Sequence, residues 1–203
     1  RILSRGIQPH VYAIQESNNI NRAHLKYFGA GMDDLVVNSA RVQLEGLLDT
    51  LHDAKEYGSI LKVENHNWKL LRSFVAAADA GEQISMDSAG LEVTVAQLLT
   101  LIDIAETMER KYDVVVTNPP YMELTKANPA LYRYMVETFP TAKADLFSVF
   151  IEKCGSYTKP NKYYSMITQQ SWLSLPSFLE LRKELFNSRT VVDMVQLGSH
   201  SFN

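Results

Sequence analysis

The stretch Tyr112-Asp113-Val114-Val115-Val116-Thr117 runs directly into Asn118-Pro119-Pro120-Tyr121, and these residues decide how the chain is interpreted. The β-branched run is typical of a buried strand in a parallel sheet, and the two prolines predict that the strand ends there. A polar amide and an aromatic ring therefore follow the carboxyl end of a strand. In open α/β sheets, ligands bind at that edge.

The side chains of this loop are suited to hold a planar amine. Asn118 has one carbonyl acceptor and one amino donor. Pro119 and Pro120 have fixed φ angles and no N–H, so their carbonyl oxygens stay available as acceptors. Tyr121 adds a flat ring with a polar tip. Two acceptors beside a stacking surface fit the exocyclic amine of adenine, whose lone pair they would localise for attack on an activated methyl group.

An adenine in duplex DNA lies inside the base stack. This use of the loop therefore requires the base to be flipped out and held against an aromatic face. A plainer explanation is also open, in which the prolines simply end the strand and Tyr121 packs in the core.

The loop and the segments after it resemble a known family. Asn-Pro-Pro-Tyr after a hydrophobic strand is similar to the catalytic signature of amino-methyltransferases that use S-adenosylmethionine. Three later segments resemble the adenine-specific DNA enzymes: the helix after their catalytic loop, the next strand with its exit, and a further strand. These segments are residues 145–153, 163–173 and 191–198.

The first half narrows the resemblance to the large adenine methyltransferases of BREX phage-defence systems (PglX-like). The matching segments are residues 10–16, 28–33 and 54–61. The resemblance implies an α/β fold in which the C-terminal half forms part of a Rossmann-like S-adenosylmethionine-dependent methyltransferase sheet, preceded by a mostly helical segment. It implies methyl transfer from S-adenosylmethionine to adenine in DNA, as a mark on host DNA in phage defence.

The resemblance also assigns roles to individual residues. Asn118 and Pro119 are expected to grip the amine, with Pro120 completing the catalytic tetrapeptide. Tyr121 is expected to stack on the flipped base. Phe202 matches an aromatic position that contacts the target base in the family. Through the same resemblance, Asp145 and Leu146 are expected to border the cofactor.

The usual cofactor motifs are harder to place. The family binds S-adenosylmethionine through a glycine-rich turn after one strand and an acidic residue after the next. Phe28-Gly29-Ala30-Gly31 mimics the turn, but polar residues precede it, so we expect Gly29 to end a helix and Gly31 to lie in a turn. Residues 11–16 could be the second strand, with Glu16 on the ribose. By the resemblance to the BREX enzymes, the cofactor strands are expected upstream of Arg1.

The length and composition of the chain indicate how many domains it can form. The chain has 203 residues, of which 46% are hydrophobic, enough for one domain with a core. It begins at Arg1 without a methionine, and we expect a fragment of a larger protein that is inactive alone. We divide it into a mostly helical segment with short strands, 1–110, and the catalytic half of the methyltransferase domain, 111–203.

Several classes of protein are disfavoured. No stretch approaches the roughly 18 apolar residues of a membrane span, and a cytoplasmic protein is expected. The histidines show no metal spacing, so no metal is expected, and the single cysteine, Cys154, is predicted to be a small buried side chain. The net charge of −3 is not that of a DNA-binding surface, so this piece alone should bind DNA weakly.

Helical spacing and capping residues predict the remaining elements. Helices are predicted over 33–57, from Asn67, over 89–110 with Ser88 as cap, from Pro129 and from Pro176. A short strand is predicted at 59–63, with turns at 80–83 and 159–162. The long connection 122–141 follows the catalytic strand, which makes it a candidate lid or DNA-contacting loop.

Two other functions stay open. A protein glutamine amide is also a planar NH2 group, and enzymes that methylate it use the same tetrapeptide. Alternatively, the chain is a non-catalytic interaction module that binds proteins of a defence complex or a phage inhibitor through its helical half.

Overall fold

A computed structural model describes residues 9–79, 81 and 88–198. The chain divides into two compact units, Arg1–Arg110 and Lys111–Asn203. Helices dominate the described residues, together with a small parallel sheet. Among the described helices, none is long and apolar enough to cross a membrane.

Helices build the described part of the first unit. The α-helices are α1 (Asp34–Thr50), α2 (Ala54–Tyr57), α3 (Trp68–Ala76) and α4 (Leu91–Glu109), with short 3-10 helices at Arg22–Tyr27 and Gly58–Ile60. α3 packs against both α1 and α4, so the apolar stripes of the three helices meet. The fully buried side chains of this core include Leu44, Leu48, Phe74, Leu98 and Ile102.

The first unit confirms some helix predictions and corrects others. The Asn67 side chain accepts a 3.0 Å hydrogen bond from the Leu70 nitrogen and caps α3, as predicted. The single helix predicted over 33–57 is wrong, because α1 ends at Thr50 and Asp53 adopts a left-handed φ of 53° before α2. Ser88 does not cap α4, which begins after Gly90 with a φ of 80°.

The strands predicted in the first half are wrong for the residues described. Gly58–Ile60 is a 3-10 helix, and the neighbouring side chains Ile60 and Leu61 are both buried. A strand sends successive side chains to opposite faces, so two consecutive buried residues suit a turn better. Residues 11–16 form no strand either. Of the turn predicted at 80–83, only Gly81 lies within the described residues.

A βαβ unit forms the centre of the second unit. Its elements are β1 (Tyr112–Thr117), α5 (Pro129–Thr138), α6 (Leu146–Tyr157), β2 (Thr158–Met166) and α7 (Leu179–Ser188), with 3-10 helices at Leu124–Lys126, Gln170–Leu173 and Pro176–Phe178. β1 and β2 pair in parallel, and α6 packs on both strands. β1, α6, β2 and the helix from Pro129 are confirmed. The helix predicted from Pro176 starts there as a 3-10 turn and becomes α7 at Leu179.

The pairing of β1 with β2 contains one irregularity. Tyr112 pairs with Thr158 and Val114 with Tyr163, so β2 carries extra residues between these pairs. Asn161 lies in this bulge with a left-handed φ of 59°. The turn predicted at 159–162 is therefore a bulge inside β2 rather than a separate connection.

One face of the small sheet is exposed. Val114, Val116 and Tyr163 are 62%, 73% and 64% exposed, whereas Val115 and Tyr164 are half-buried. The prediction of a buried β1 is thus wrong for half of its side chains, because the described residues cover one face only. The strand predicted at 191–198 is also wrong, since those residues pair with no strand in the structure.

Candidate functional site

The tetrapeptide Asn118-Pro119-Pro120-Tyr121 leaves the sheet at the carboxyl end of β1. The Ile167 nitrogen donates a 3.2 Å hydrogen bond to the Thr117 oxygen, so the chain after β2 stays beside β1 as both strands end. Pro119 is buried and anchors the loop, while Asn118 and Pro120 are exposed. The structure therefore brings the loop to the sheet edge that binds ligands in α/β folds.

Asn118 presents its amide to solvent. The described residues give its side chain no hydrogen-bond partner, and the residue is exposed. Its carbonyl oxygen and its amino group are therefore both available to a ligand. An unpaired amide costs little in water, so this arrangement needs no compensation elsewhere.

The Tyr121 ring is partly exposed to solvent and partly packed against the ring of Phe147. The Tyr121 side chain is 46% exposed, and its ring lies 6.0 Å from the Phe147 ring at an angle of 89°. Phe147 is fully buried and lies 5.5 Å from the ring of Phe178. The perpendicular contact between the rings of Tyr121 and Phe147 is favoured by the charge distribution of aromatic rings. Tyr121 is therefore neither the core residue of the plainer explanation nor a free side chain.

The main chain beyond Tyr121 is fastened to the start of α6. The Met122 nitrogen donates to Asp145 Oδ1 at 3.1 Å, and the Leu146 nitrogen donates to the Met122 oxygen at 2.9 Å. The Leu124 nitrogen adds a 3.3 Å bond to the Ala144 oxygen. These bonds form a short antiparallel pairing, so the exit of the loop has a fixed position.

Asp145 also caps α6. The same oxygen, Oδ1, accepts a 3.1 Å bond from the Phe147 nitrogen, and the Asp145 nitrogen donates to Ser148 Oγ at 3.3 Å. This reciprocal capping box satisfies main-chain groups at the helix start. In the structure the carboxylate of Asp145, which is 6% exposed, serves the main chain. Contact of Asp145 and Leu146 with a cofactor stays a prediction.

The Gly29-Ala30-Gly31 stretch ends a short helix and packs on α3. Gly29 has a φ of +79°, and a Cβ added there would lie 2.8 Å from the Phe74 ring. The Ala30 nitrogen donates to the Ala77 oxygen at 2.8 Å. The 3-10 helix Arg22–Tyr27 is capped by Phe28, one residue before the predicted cap Gly29. The turn at Gly31 is confirmed, and no strand precedes the stretch among the described residues. The positive φ of Gly29 and its missing side chain allow this close packing on Phe74.

The other sequence-predicted site residues fall elsewhere. Glu16 pairs with Lys55 at 3.3 Å and follows no strand, so its assignment to a second cofactor strand is wrong. Phe202 lies outside the described residues. In the connection 122–141, the side chain of Asn128 caps α5 by accepting from the Leu131 nitrogen at 2.8 Å. A role for this connection as a lid or DNA contact stays a prediction.

Two titratable groups outside the loop have shifted pKa values with structural causes. Burial raises the pKa of the Cys154 thiol to about 11, as suits a small buried side chain. Hydrogen bonds from Lys159 and Lys162 lower the pKa of Asp113, at the far end of β1 from the tetrapeptide. The described residues contain no group of three or more His, Cys, Asp or Glu side chains able to hold a metal ion.

Sequence reasoning missed the residues that support the loop. The Phe147 ring packs against Tyr121, and Phe178 packs against Phe147 in turn; neither contact was predicted. The signal for Phe147 was present in the Asp145–Ser148 spacing, which is that of a capping box and places Phe147 in the first turn of a helix. Nothing in the sequence indicated that this turn lies against Tyr121.

The family and the two relatives that the chain matches are all described as methylases or methyltransferases. A family described as Eco57I restriction-modification methylase matches residues 26–202. The chain is 30% identical over 198 residues to the adenine-specific methyltransferase PglX of Lacticaseibacillus casei (strain Zhang), covering 97% of this chain and 16% of that protein. It is 29% identical over 223 residues to the adenine-specific methyltransferase BrxX of Escherichia coli O9:H4 (strain HS), covering 100% of this chain and 18% of that protein. The chain thus spans less than a fifth of the length of these relatives.

Proposed function

This chain belongs to the Eco57I restriction-modification methylase family, and on that premise we propose that the protein is an adenine-specific DNA methyltransferase. In the proposed reaction, a methyl group passes from S-adenosylmethionine to the exocyclic amine of an adenine in DNA. The two relatives are both called adenine-specific methyltransferases, which supports the choice of adenine. The resemblance to the BREX enzymes extends the proposal to the marking of host DNA in phage defence.

The observation that carries the proposal is the exposed amide of Asn118, which has no hydrogen-bond partner among the described residues, in the same loop as the half-exposed ring of Tyr121. The Asn118 oxygen and the Pro119 carbonyl would accept the two N–H groups of the amine. Two acceptors in these positions favour a pyramidal nitrogen and localise its lone pair, which makes the amine a better nucleophile. Because Pro119 is buried and the loop exit is fastened to α6, the acceptors are positioned before the substrate arrives.

The aromatic residues would hold the flipped base. A base taken out of the duplex loses its stacking partners, and a ring on the protein replaces part of that energy. Tyr121 has enough exposed surface for this role. The role of Phe202 as a second contact to the base rests on the family resemblance.

The described residues show no glycine-rich turn after a strand, which is how the family binds the methyl donor. The glycine-rich stretch at 29–31 packs against the Phe74 ring, and no glycine-rich turn follows either described strand. S-adenosylmethionine would supply the activated methyl group. We therefore propose that it is bound mainly by parts of the complete protein other than the described residues. Asp145 and Leu146 are the proposed neighbours of the cofactor within this chain.

The fold fits a partial Rossmann-like sheet. We propose that residues 111–203 are the catalytic half of a methyltransferase domain and that residues 1–110 are a helical segment preceding it. The parallel pair of β1 and β2, joined through α5 and α6, supports this assignment because parallel strands need such a crossover. DNA is the proposed partner of the complete protein.

One observation favours a second candidate, a non-catalytic interaction module. No glycine-rich turn follows a strand among the described residues, and a chain without a methyl-donor site would serve only to bind proteins of a defence complex or a phage inhibitor. This candidate predicts that the complete protein, carrying folded variants of Asn118 or Tyr121, keeps its biological activity.

Methyl transfer by the complete protein tests the proposal. The assay supplies S-adenosylmethionine with a labelled methyl group and either DNA from cells lacking the enzyme or a glutamine-containing peptide. We expect label on adenine in DNA and a loss of about 100-fold or more with Asn118→Ala, and a large loss with Tyr121→Ala. Matched controls are the exposed residues Asn187 on α7 and Tyr12, which is 47% exposed, each changed to alanine.

Each outcome separates the candidates. Label on the peptide amide alone would assign the protein to glutamine methylation. Undiminished labelling of DNA in both loop variants would refute the assignment of the tetrapeptide. Failure of the folded wild-type protein to label either substrate would favour the interaction module.

A further inference from the structure

We propose that Phe147 is a positioning residue that sets the orientation of the Tyr121 ring for contact with the substrate base. This inference rests on the proposed function, because it assigns to Phe147 an effect exerted through Tyr121. The observation behind it is the perpendicular contact between the two rings, whose centres lie 6.0 Å apart at 89°.

The backbone of Tyr121 is held on both sides. On one side, Pro120 has a fixed φ angle. On the other, Met122 is bonded to α6 through both its nitrogen and its oxygen. The conformational freedom that remains to Tyr121 is therefore mainly rotation of its own side chain. Because the Phe147 ring contacts the Tyr121 side chain, it restricts that rotation.

The position of the Phe147 ring is fixed by the residues around it. Its side chain is fully buried, and it stands in the first turn of α6, where the capping box of Asp145 and Ser148 fixes the helix start. Phe178, only 4% exposed, lies 5.5 Å from it. The three rings thus form a continuous support that runs from the core to the exposed ring of Tyr121.

The geometry leaves Tyr121 able to stack on a base. In a perpendicular pair, one ring presents its edge to the face of the other. Whichever ring supplies the edge, Phe147 covers at most one face of Tyr121, and the side chain is 46% exposed. Phe147 therefore fixes the ring without occupying the surface that a base would need.

A shift of the Tyr121 ring should lower the rate of DNA methylation. Displacement of a reacting group by about 1 Å can cost on the order of 100-fold in rate, even when the changed residue is remote from the chemistry. Phe147→Leu keeps an apolar side chain but removes the ring contact. In the complete protein, we expect kcat for methylation of DNA to fall by about 10- to 100-fold, with the KM for S-adenosylmethionine unchanged.

Phe139→Leu is the matched control. Phe139 is fully buried, like Phe147, and its ring makes a similar edge-to-face contact with Tyr134, at 6.2 Å and 69°. The ring contact described for Phe139 is with Tyr134 on α5 and not with Tyr121. We expect Phe139→Leu to lower the melting temperature about as much as Phe147→Leu while leaving kcat within about two-fold of wild type, as for a core change remote from the reacting groups.

A double-mutant cycle with Tyr121→Leu separates positioning from a general loss of structure. If Phe147 acts through Tyr121, adding Phe147→Leu to Tyr121→Leu should lower kcat by less than two-fold further. A full additional loss in the double variant, or equal losses in Phe147→Leu and Phe139→Leu, would overturn the inference. Should Phe147→Leu fail to fold, Phe147→Met takes its place, because its flexible side chain fills irregular space.

Failure of the proposed function would look different. It would appear as absence of DNA methylation by wild-type protein, or as full activity in Tyr121→Leu itself. Both results come from wild type and Tyr121→Leu alone. The proposed function can therefore be rejected without any measurement on a Phe147 variant.

Discussion

Asp145 Oδ1 accepts a 3.1 Å hydrogen bond from the main-chain nitrogen of Met122, which lies 23 residues earlier in the chain. The same oxygen caps α6 through the Phe147 nitrogen, also at 3.1 Å. One buried carboxylate oxygen therefore fixes the exit of the Asn-Pro-Pro-Tyr loop and the start of the helix that supports it. The position of the loop and the stability of the helix are coupled through this atom.

Replacing Asp145 tests that coupling. In Asp145→Ala, the Met122 and Phe147 nitrogens lose their acceptor, and we expect a loss of about 1–3 kcal/mol in stability together with slower methyl transfer. Asp145→Asn keeps an acceptor oxygen and should retain most of both. Thermal unfolding and protease sensitivity of the complete protein measure the effect. An asparagine variant as damaged as the alanine variant would show that the negative charge matters, which would favour a cofactor contact.

The glycines at 29 and 31 should respond differently to alanine. Gly29→Ala combines a left-handed φ with a collision against the Phe74 ring, and we expect it to cost about 2–4 kcal/mol. Gly31→Ala has a φ of +74° but nothing within 4 Å, so only the backbone strain of about 1–2 kcal/mol applies. Melting curves and calorimetric binding of S-adenosylmethionine give the readouts. Loss of cofactor binding in a folded Gly31→Ala protein would restore this stretch as a cofactor turn.

Cys154 should be unreactive in the folded protein. Burial raises the pKa of its thiol from 9.0 to about 11, so the reactive thiolate is scarce near pH 8. Because the folded pKa is the higher one, this group favours the folded state below about pH 9 and loses that contribution as pH rises toward about 11. Alkylation by iodoacetamide, followed by mass spectrometry, should proceed in denaturant and be slow without it. Rapid native labelling at pH 8 would contradict the burial of this side chain.

Asn118→Asp should be far less harmful than Asn118→Ala. If the amide acts as an oxygen acceptor, a carboxylate at the same position still provides one, whereas alanine provides none. We expect the aspartate variant to keep measurable methyl transfer and the alanine variant to lose about 100-fold or more. The labelled-methyl assay on DNA compares them. Equal loss in both would mean that the amino group of Asn118, rather than its oxygen, is required.

The local pattern was enough to predict the centre of the candidate site. A β-branched run followed by two prolines fixed the place of β1 and of the loop after it, because both signals are local. The α6 helix was predicted from the resemblance of residues 145–153 to the helix that follows the catalytic loop in the adenine-specific DNA enzymes.

The supporting contacts were not predictable in this way. Met122 and Asp145 are close only because the chain returns after a 23-residue excursion. Likewise, the break at Asp53 depends on a left-handed residue that helical spacing alone does not reveal. The exposure of Val114 and Val116 depends on which elements cover the sheet, and no local pattern contains that information.

The exposed face of Val114, Val116 and Tyr163 has a consequence for handling the chain in the laboratory. A strand that shows apolar side chains and pairs on one edge only, as β1 does among the described residues, is a template for edge-to-edge aggregation. The 203-residue chain expressed alone should therefore self-associate at high concentration. Val116→Lys should raise the solubility of the chain, as light scattering can show, because a charge on this face opposes strand pairing between copies.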